Sequence, residues 1–190
     1  MNVEELKSTV SLFEYYKMLA DKTFDQLDDQ ALFWQYNEAS NSIAIIANHM
    51  AGNMKSRWTD FLTADGEKEW RNRDQEFEDI IKTREALIEK WEDAWNTFFQ
   101  ALDQINEHNI HSEIYIRNKA HSIYEAIQRQ LAHYASHIGQ IVYIGKMLKN
   151  DEWLSLSIPK GQSKSFNKAA FAKAKTKEHF TVQFKKEQDV

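Results

Sequence analysis

Three histidines have the spacing and surroundings needed for metal chemistry. His133 and His137 stand four residues apart, about 1.1 helical turns, so both imidazoles leave one helix face and can bind one ion together. The inward-facing stripe of that helix is read at Ile123, Ile127, Gln130, Tyr134, His137, Ile141 and Leu148. Both histidines fall within or beside this stripe. His49 sits in the middle of an otherwise apolar stretch, SIAIIANHMAGNM. Unsatisfied buried polar groups cost on the order of 1–3 kcal/mol each, so histidines facing a core need an acceptor, a water or an ion. An HxxxH pair alone is a weak signal, and core histidines bonded to carboxylates or water are the competing reading. Three imidazoles on one ion would leave positions open, as catalytic zinc sites do and structural ones do not.

The residues around the three histidines add candidates. Arg129 and Gln130, one turn before His133, and Asn53, one turn after His49, could orient a ligand or support the histidines from behind. Gly52 would admit a close neighbour to the helix that carries His49. Lys55, Arg57, Arg71 and Arg73 supply cations that could clamp a carboxylate or phosphate, although surface pairing with Asp74, Glu76 and Glu78 is the simpler expectation. Trp58 and Trp70 could wall a pocket. The remaining histidines, His108, His111, His121 and His179, are expected at the surface or at helix ends.

Composition removes several function classes. Cysteine is absent from all 190 residues, which excludes disulfides, thiolate metal sites and cysteine nucleophiles, so metal ligands must be nitrogen or oxygen. No phosphate-binding glycine loop, dinucleotide fingerprint, serine-hydrolase elbow or HExxH helix occurs. Inward ExxH pairs of a diiron carboxylate bundle are also missing. No apolar run reaches the roughly 18 residues of a membrane helix, and the N-terminus lacks a secretory pattern, so a soluble cytoplasmic protein is expected. The net charge of −5 disfavours nucleic acid; it divides into −10 on residues 1–154 and +5 on the lysine-rich residues 155–190. That tail is read as a solvated segment, because no arginine and no regular stacking aromatics accompany its lysines.

The elements that must position these residues are helical. Five glycines and one proline favour long helices over a turn-rich sheet. Periodicity predicts helices over Asn2–Leu27, Ser42–Leu62, Asp74–Glu107 and Ser122–Lys149, with Ser40 or Asn41 as a cap before the second. Residues 110–117 are read as an extended connector, Trp153–Asn167 as loop, and Lys168–Lys175 as a short helix. Four such helices usually bury their apolar faces as a bundle. The expected fold is all-α, with a metal-binding bundle over 1–150 and a loop-rich basic extension over 151–190 on the same domain.

Three segments stand out in order along the chain: NSIAIIANHMAGNMKSRWTDFLTADGEKEWRNRDQEFE, then RQLAHYASHIGQIVYIGKMLK, followed by WLSLSIPKGQS. In these segments the chain resembles the DinB-like (damage-inducible B, YfiT-like) metal-binding superfamily, and most of all a branch of unassigned function. Together they cover about a third of the chain, in the family's order. The resemblance implies a four-helix bundle of down-up-up-down topology, often a homodimer. It also implies a histidine triad with one residue on the second helix and a pair on the fourth, which here are His49, His133 and His137. Some relatives are transferases or isomerases that use a low-molecular-weight thiol such as bacillithiol or mycothiol. A protein without cysteine could borrow its sulfur nucleophile in this way, a metal lowering the thiol pKa.

The expected function is therefore that of a divalent-metal-dependent enzyme, a thiol-dependent transferase acting on small electrophiles. The alternative is a non-enzymatic, stress-associated metal-binding dimer. Zinc, nickel, iron and manganese all suit three imidazoles.

Overall fold

A computed structural model describes residues 2–185. In chain order the elements are α1 (Val3–Gln26), α2 (Asp29–Phe33), α3 (Ile43–Trp58), α4 (Arg84–Asp103), β1 (Glu113–Ile116), β2 (Lys119–Ser122), α5 (Ile123–Lys149), α6 (Ser163–Phe171) and α7 (Val182–Lys185). The long helices begin where a side chain can accept the orphan amide hydrogens of a first turn. Asn2 with Glu5, and Ser122 with Glu125, form reciprocal capping boxes, and Ser42 and Thr83 cap α3 and α4. Ser42 thus takes the role expected of Ser40 or Asn41.

Side-chain contacts fix the helix directions. Phe13 meets Phe98 and Phe24 meets Trp91, so α1 and α4 are antiparallel. Lys55 reaches Asp93 while Trp58 meets Phe98, so α3 and α4 are parallel. Asn53 pairs with Gln130 and His49 with His133, so α3 and α5 are antiparallel. The result is an all-α bundle in down-up-up-down order. Its centre is aromatic: Phe13, Trp58, Trp95, Phe98 and Tyr134, from all four helices, join edge to face at 4.6–6.0 Å. Such pairs add about 0.5–1.5 kcal/mol each beyond the area they bury.

Two parallel helices need a connection that returns along the bundle, and residues 59–83 provide it. Here the structure corrects the expected boundaries. The second helix stops at Trp58, where Asp60 takes a left-handed φ of 49°, four residues short of Leu62. The third is not continuous from Asp74: a 3-10 turn, Asp74–Phe77, is followed by irregular chain until Thr83 caps α4, which ends at Asp103. Phe77, Ile80 and Ile81 imitate helical spacing, but Phe77 stacks on His49 and Ile81 packs into the core on its own.

The extended connector is a β-hairpin. Glu113–Ile116 pairs antiparallel with Lys119–Ser122, and Arg117 and Asn118 both take left-handed conformations, as a two-residue type I′ turn requires. Asp65 accepts both turn amides and Gly66 bonds Tyr115, which ties the hairpin to the crossover.

Beyond α5 the chain returns to α1. Gln26 bonds the Leu154 backbone twice, and Tyr15 meets the rings of Phe180 and Phe184. The short helix of this region begins at Ser163, upstream of the expected Lys168–Lys175, because a turn with Gly161 at φ 85° frees the chain to coil at once. The last five residues of the expected extension, 186–190, lie outside the described residues.

Gly145 marks a close approach of α5 to α1. A Cβ there would lie 2.5 Å from Thr23 Cγ2 and 3.3 Å from the Trp153 ring, whereas one at Gly139 would meet nothing within 4 Å. Gly145→Ala is expected to destabilise the fold by about 1–3 kcal/mol through overpacking. Gly139→Ala, on the same helix, should stabilise it by up to about 1 kcal/mol. Urea denaturation midpoints separate the two, and equal shifts would show that α1 and α5 are not in close contact.

Candidate metal centre

The antiparallel crossing of α3 and α5 brings the three histidines together. His133 Nε2 lies 3.3 Å from His49 Nε2 and 3.0 Å from His137 Nε2, and one nitrogen from each ring lies within 4.8 Å of the other two. His49 is buried, while His133 and His137 are half-buried at the margin of the inward stripe. Burial first, and then the neighbouring imidazoles, push His133 down to about 3 and lower His137 in the same way. Both are therefore neutral at neutral pH, the state that metal ligation needs.

The partners of the outer nitrogens decide whether lone pairs face inward. His49 Nδ1 donates to Glu76 Oε2 at 2.9 Å, and a carboxylate can only accept, so the Nε2 of His49 presents its lone pair to the cluster. His137 Nδ1 lies 3.4 Å from Gln140 Oε1, with the same consequence. His133 Nδ1 lies 3.1 Å from the Gln130 amide nitrogen, which also donates to Asn53 Oδ1 at 3.0 Å. In this arrangement His133 carries its hydrogen on Nε2, bridging towards its two neighbours. A half-turn of the Gln130 amide, together with one of Asn53 so that the Asn53 NH2 donates to Gln130, would present oxygen to Nδ1 and release the third lone pair. The donor set, its convergence and the outer partners thus fit a divalent ion held by three imidazole nitrogens.

Glu76 is the functional residue that sequence reasoning missed. Surface ion pairing was expected for it, yet its side chain is 8% exposed and that of its partner Arg71 2%. Arg71 donates through Nε to Oε1 at 2.7 Å and through Nη2 to Oε2 at 2.9 Å. Burial alone would raise the Glu76 pKa, but hydrogen bonds from His49 and Arg71 outweigh it and hold the carboxyl below its usual range. Gly52 is the second half of this arrangement, since a Cβ there would lie 2.3 Å from Glu76 Oε1. The signal was present as a glycine one turn after the histidine on the same helix. Its partner, 24 residues on, belonged to a segment read as helix.

The other candidates divide. Asn53 and Gln130 stand directly behind His133. Arg129 bonds no site histidine, but it lines a cavity of about 240 Å³ that opens beside His49 and His133. Arg57, Arg71, Arg73 and Trp58 line the same cavity. Lys55 does not, because it turns to Asp93 and Thr97 on α4. Trp70 is exposed and lies outside this cavity. On the other flank, Gln140 and Ile46 join Trp34, Tyr36, Tyr143 and Met147 around an apolar depression of about 370 Å³.

The family described as "Protein of unknown function (DUF1572)" matches residues 1–162. The chain belongs to this family. No curated protein and no solved structure matches it. The matched region contains the three histidines, the Arg71–Glu76 crossover and the hairpin, and it ends before α6, so the DUF1572 domain holds the whole centre.

Glu76→Ala should cost stability towards the lower end of about 3–5 kcal/mol, since it strips a buried guanidinium of its main partner while Glu67 remains. Gly52→Ala should cost about 1–3 kcal/mol by evicting the same carboxylate. The double variant, measured by urea unfolding, should fall well short of the sum. Additive costs would show that Gly52 does not seat Glu76.

Proposed function

We propose that this protein is a divalent-metal-dependent enzyme of the DinB-like superfamily, in which His49, His133 and His137 hold the ion. The observation that carries this reading is the convergence of three imidazole nitrogens from two antiparallel helices, each ring with a polar partner on its outer nitrogen. The topology and the placement of the triad agree with what the resemblance implies. Three protein ligands leave positions open for a reactant, which favours an enzyme over a purely structural site.

The reaction class we assign is transfer to a small electrophile from a low-molecular-weight thiol. When bound, the ion would supply a Lewis acid able to lower the pKa of a thiol or water. The chain itself contributes orientation and exclusion. Glu76 and Arg71 hold His49 rigidly, Gln130 and Asn53 hold His133, and Phe77 covers the His49 ring at 4.5 Å. Tyr134 stays protonated, because full burial raises its pKa well above the usual value. The apolar depression beyond Gln140 suits the body of an electrophile, and the absence of cysteine removes any internal competitor for it.

Untagged protein should carry about one divalent ion per chain by elemental analysis, and a His133→Ala, His137→Ala double variant should carry almost none. Equal metal content in the two would refute the site. Replacing Gln130 with Ala should weaken the affinity roughly 10–100-fold without touching a ligand, as read by chelator competition. Turnover of a panel of small electrophiles should require both the metal and an added thiol; thiol-independent turnover would refute the transferase class while leaving the metal centre standing.

A further inference from the structure

Five of the chain's six arginines line one cavity, and among the described residues no lysine does. Arg57 comes from α3, Arg71 and Arg73 from the crossover, Arg117 from the hairpin turn and Arg129 from α5. The sixth, Arg84, closes the end of α1 on the Phe24 and Leu27 carbonyls. Lysine serves equally well as a generic surface cation. Only the planar guanidinium fork matches the two oxygens of a carboxylate or phosphate.

The charge in this cavity is not cancelled. Glu67 pairs with Arg57, Arg71 and Arg117, and Glu76 with Arg71, so two carboxylates face five guanidinium groups and three positive charges remain. Both carboxylates lie behind the arginines, and no acid lines the cavity itself. Among the described residues neither Arg73 nor Arg129 has a carboxylate partner: Arg73 lies 5.0 Å over the Phe77 ring, and Arg129 reaches only His121, at 3.5 Å. This positive pole sits in a protein of net charge −5. The buried indole N–H of Trp58, in the same wall, is directed at the Tyr134 hydroxyl.

We infer that the arginine cavity is the binding site for the anionic group of a substrate, a carboxylate pair or a phosphomonoester, delivered against the three histidines. The space, about 240 Å³, lies just below the roughly 300–1,000 Å³ of pockets that take whole drug-sized ligands. It holds a small diacid or the charged head of a longer molecule whose body passes the histidines. His49 and His133 line the same cavity as Arg73 and Arg129, so an anion seated on the two arginines brings its attached atoms into the space that the triad shares. This assignment deepens the metal-enzyme reading as to which reactant arrives there, but the anion binding stands on the cavity alone.

The test uses inorganic phosphate and malonate as probes, titrated calorimetrically at fixed ionic strength into the full chain, both chelator-treated and metal-loaded. Saturable binding of either probe is expected in both forms, with Trp58 emission changing in step; tighter phosphate marks a phosphomonoester substrate and tighter malonate a dicarboxylate. Arg73→Gln with Arg129→Gln should weaken binding roughly tenfold or more, whereas Lys119→Gln with Lys164→Gln, an equal loss of charge, should leave it unchanged. Arg73→Lys with Arg129→Lys should fail to restore it, which separates the fork from simple charge. His137→Ala, which removes a triad histidine that does not line the cavity, should still bind the probes after chelation, so loss of the metal centre and loss of the anion site are read independently. No saturable binding, or equal weakening in the arginine and lysine pairs, overturns the proposal.

Discussion

The buried carboxylate of Glu76 is the constraint on which the rest of the centre depends. It accepts from Arg71 and from His49 at once, and an ionised carboxylate so far from water persists only when paired and fully hydrogen-bonded. Meeting that demand decides several other features. The crossover must turn inward between α3 and α4, α3 must carry glycine at position 52, and the helical spacing around Phe77 must yield to a single 3-10 turn. His49 in turn is fixed as the Nδ1–H tautomer, because its only neighbour on that side can accept and never donate.

From this anchor the centre is assembled from elements that were not built for it locally. The pairing of α3 with α5 supplies the meeting of His49 and His133, and the bundle's aromatic centre holds that pairing by packing. The hairpin between α4 and α5 reaches over to the crossover through Asp65, whose carboxylate accepts the backbone amides of Glu67, Arg117 and Asn118. These bonds hold its pKa below the usual range against the small opposing effect of burial. The same contact aims Arg117 at the arginine cavity. A parallel α3–α4 pair makes the long crossover obligatory, and that crossover brings Arg71, Arg73 and Glu76 to the centre.

The two flanks of the triad differ in kind. Towards the end of α3 the walls are guanidinium groups and an indole; towards its start they are apolar and aromatic. Under the proposed function, a reactant that spanned the histidines would meet charge at one end and hydrocarbon at the other, which would fix its direction before any chemistry. Such orientation is a large part of what an active site contributes, since misplacement by about 1 Å can cost on the order of a hundredfold in rate.

The three histidines, with Gln130 and Asn53 behind them, were legible in the sequence, and so were α1, α5, their starting points at Asn2 and Ser122 and the all-α class. All of these rest on local rules: the period of the helix, the hydrogen-bonding reach of a cap, and the placing of i and i+4 on one face. Two boundaries failed where tertiary demand overrode periodicity, at Trp58 and across 74–83. The role of Glu76, the reason for glycine at 52 and the gathering of five arginines were decided by the tertiary structure alone. Each couples residues from different elements, and an isolated charge in a sequence carries no mark of whether it will end in water or beneath another helix. Local spacing placed the histidines on their faces; only the packed bundle could set a carboxylate behind one of them and a ring of guanidinium groups beside them, because burial is a property of the whole fold.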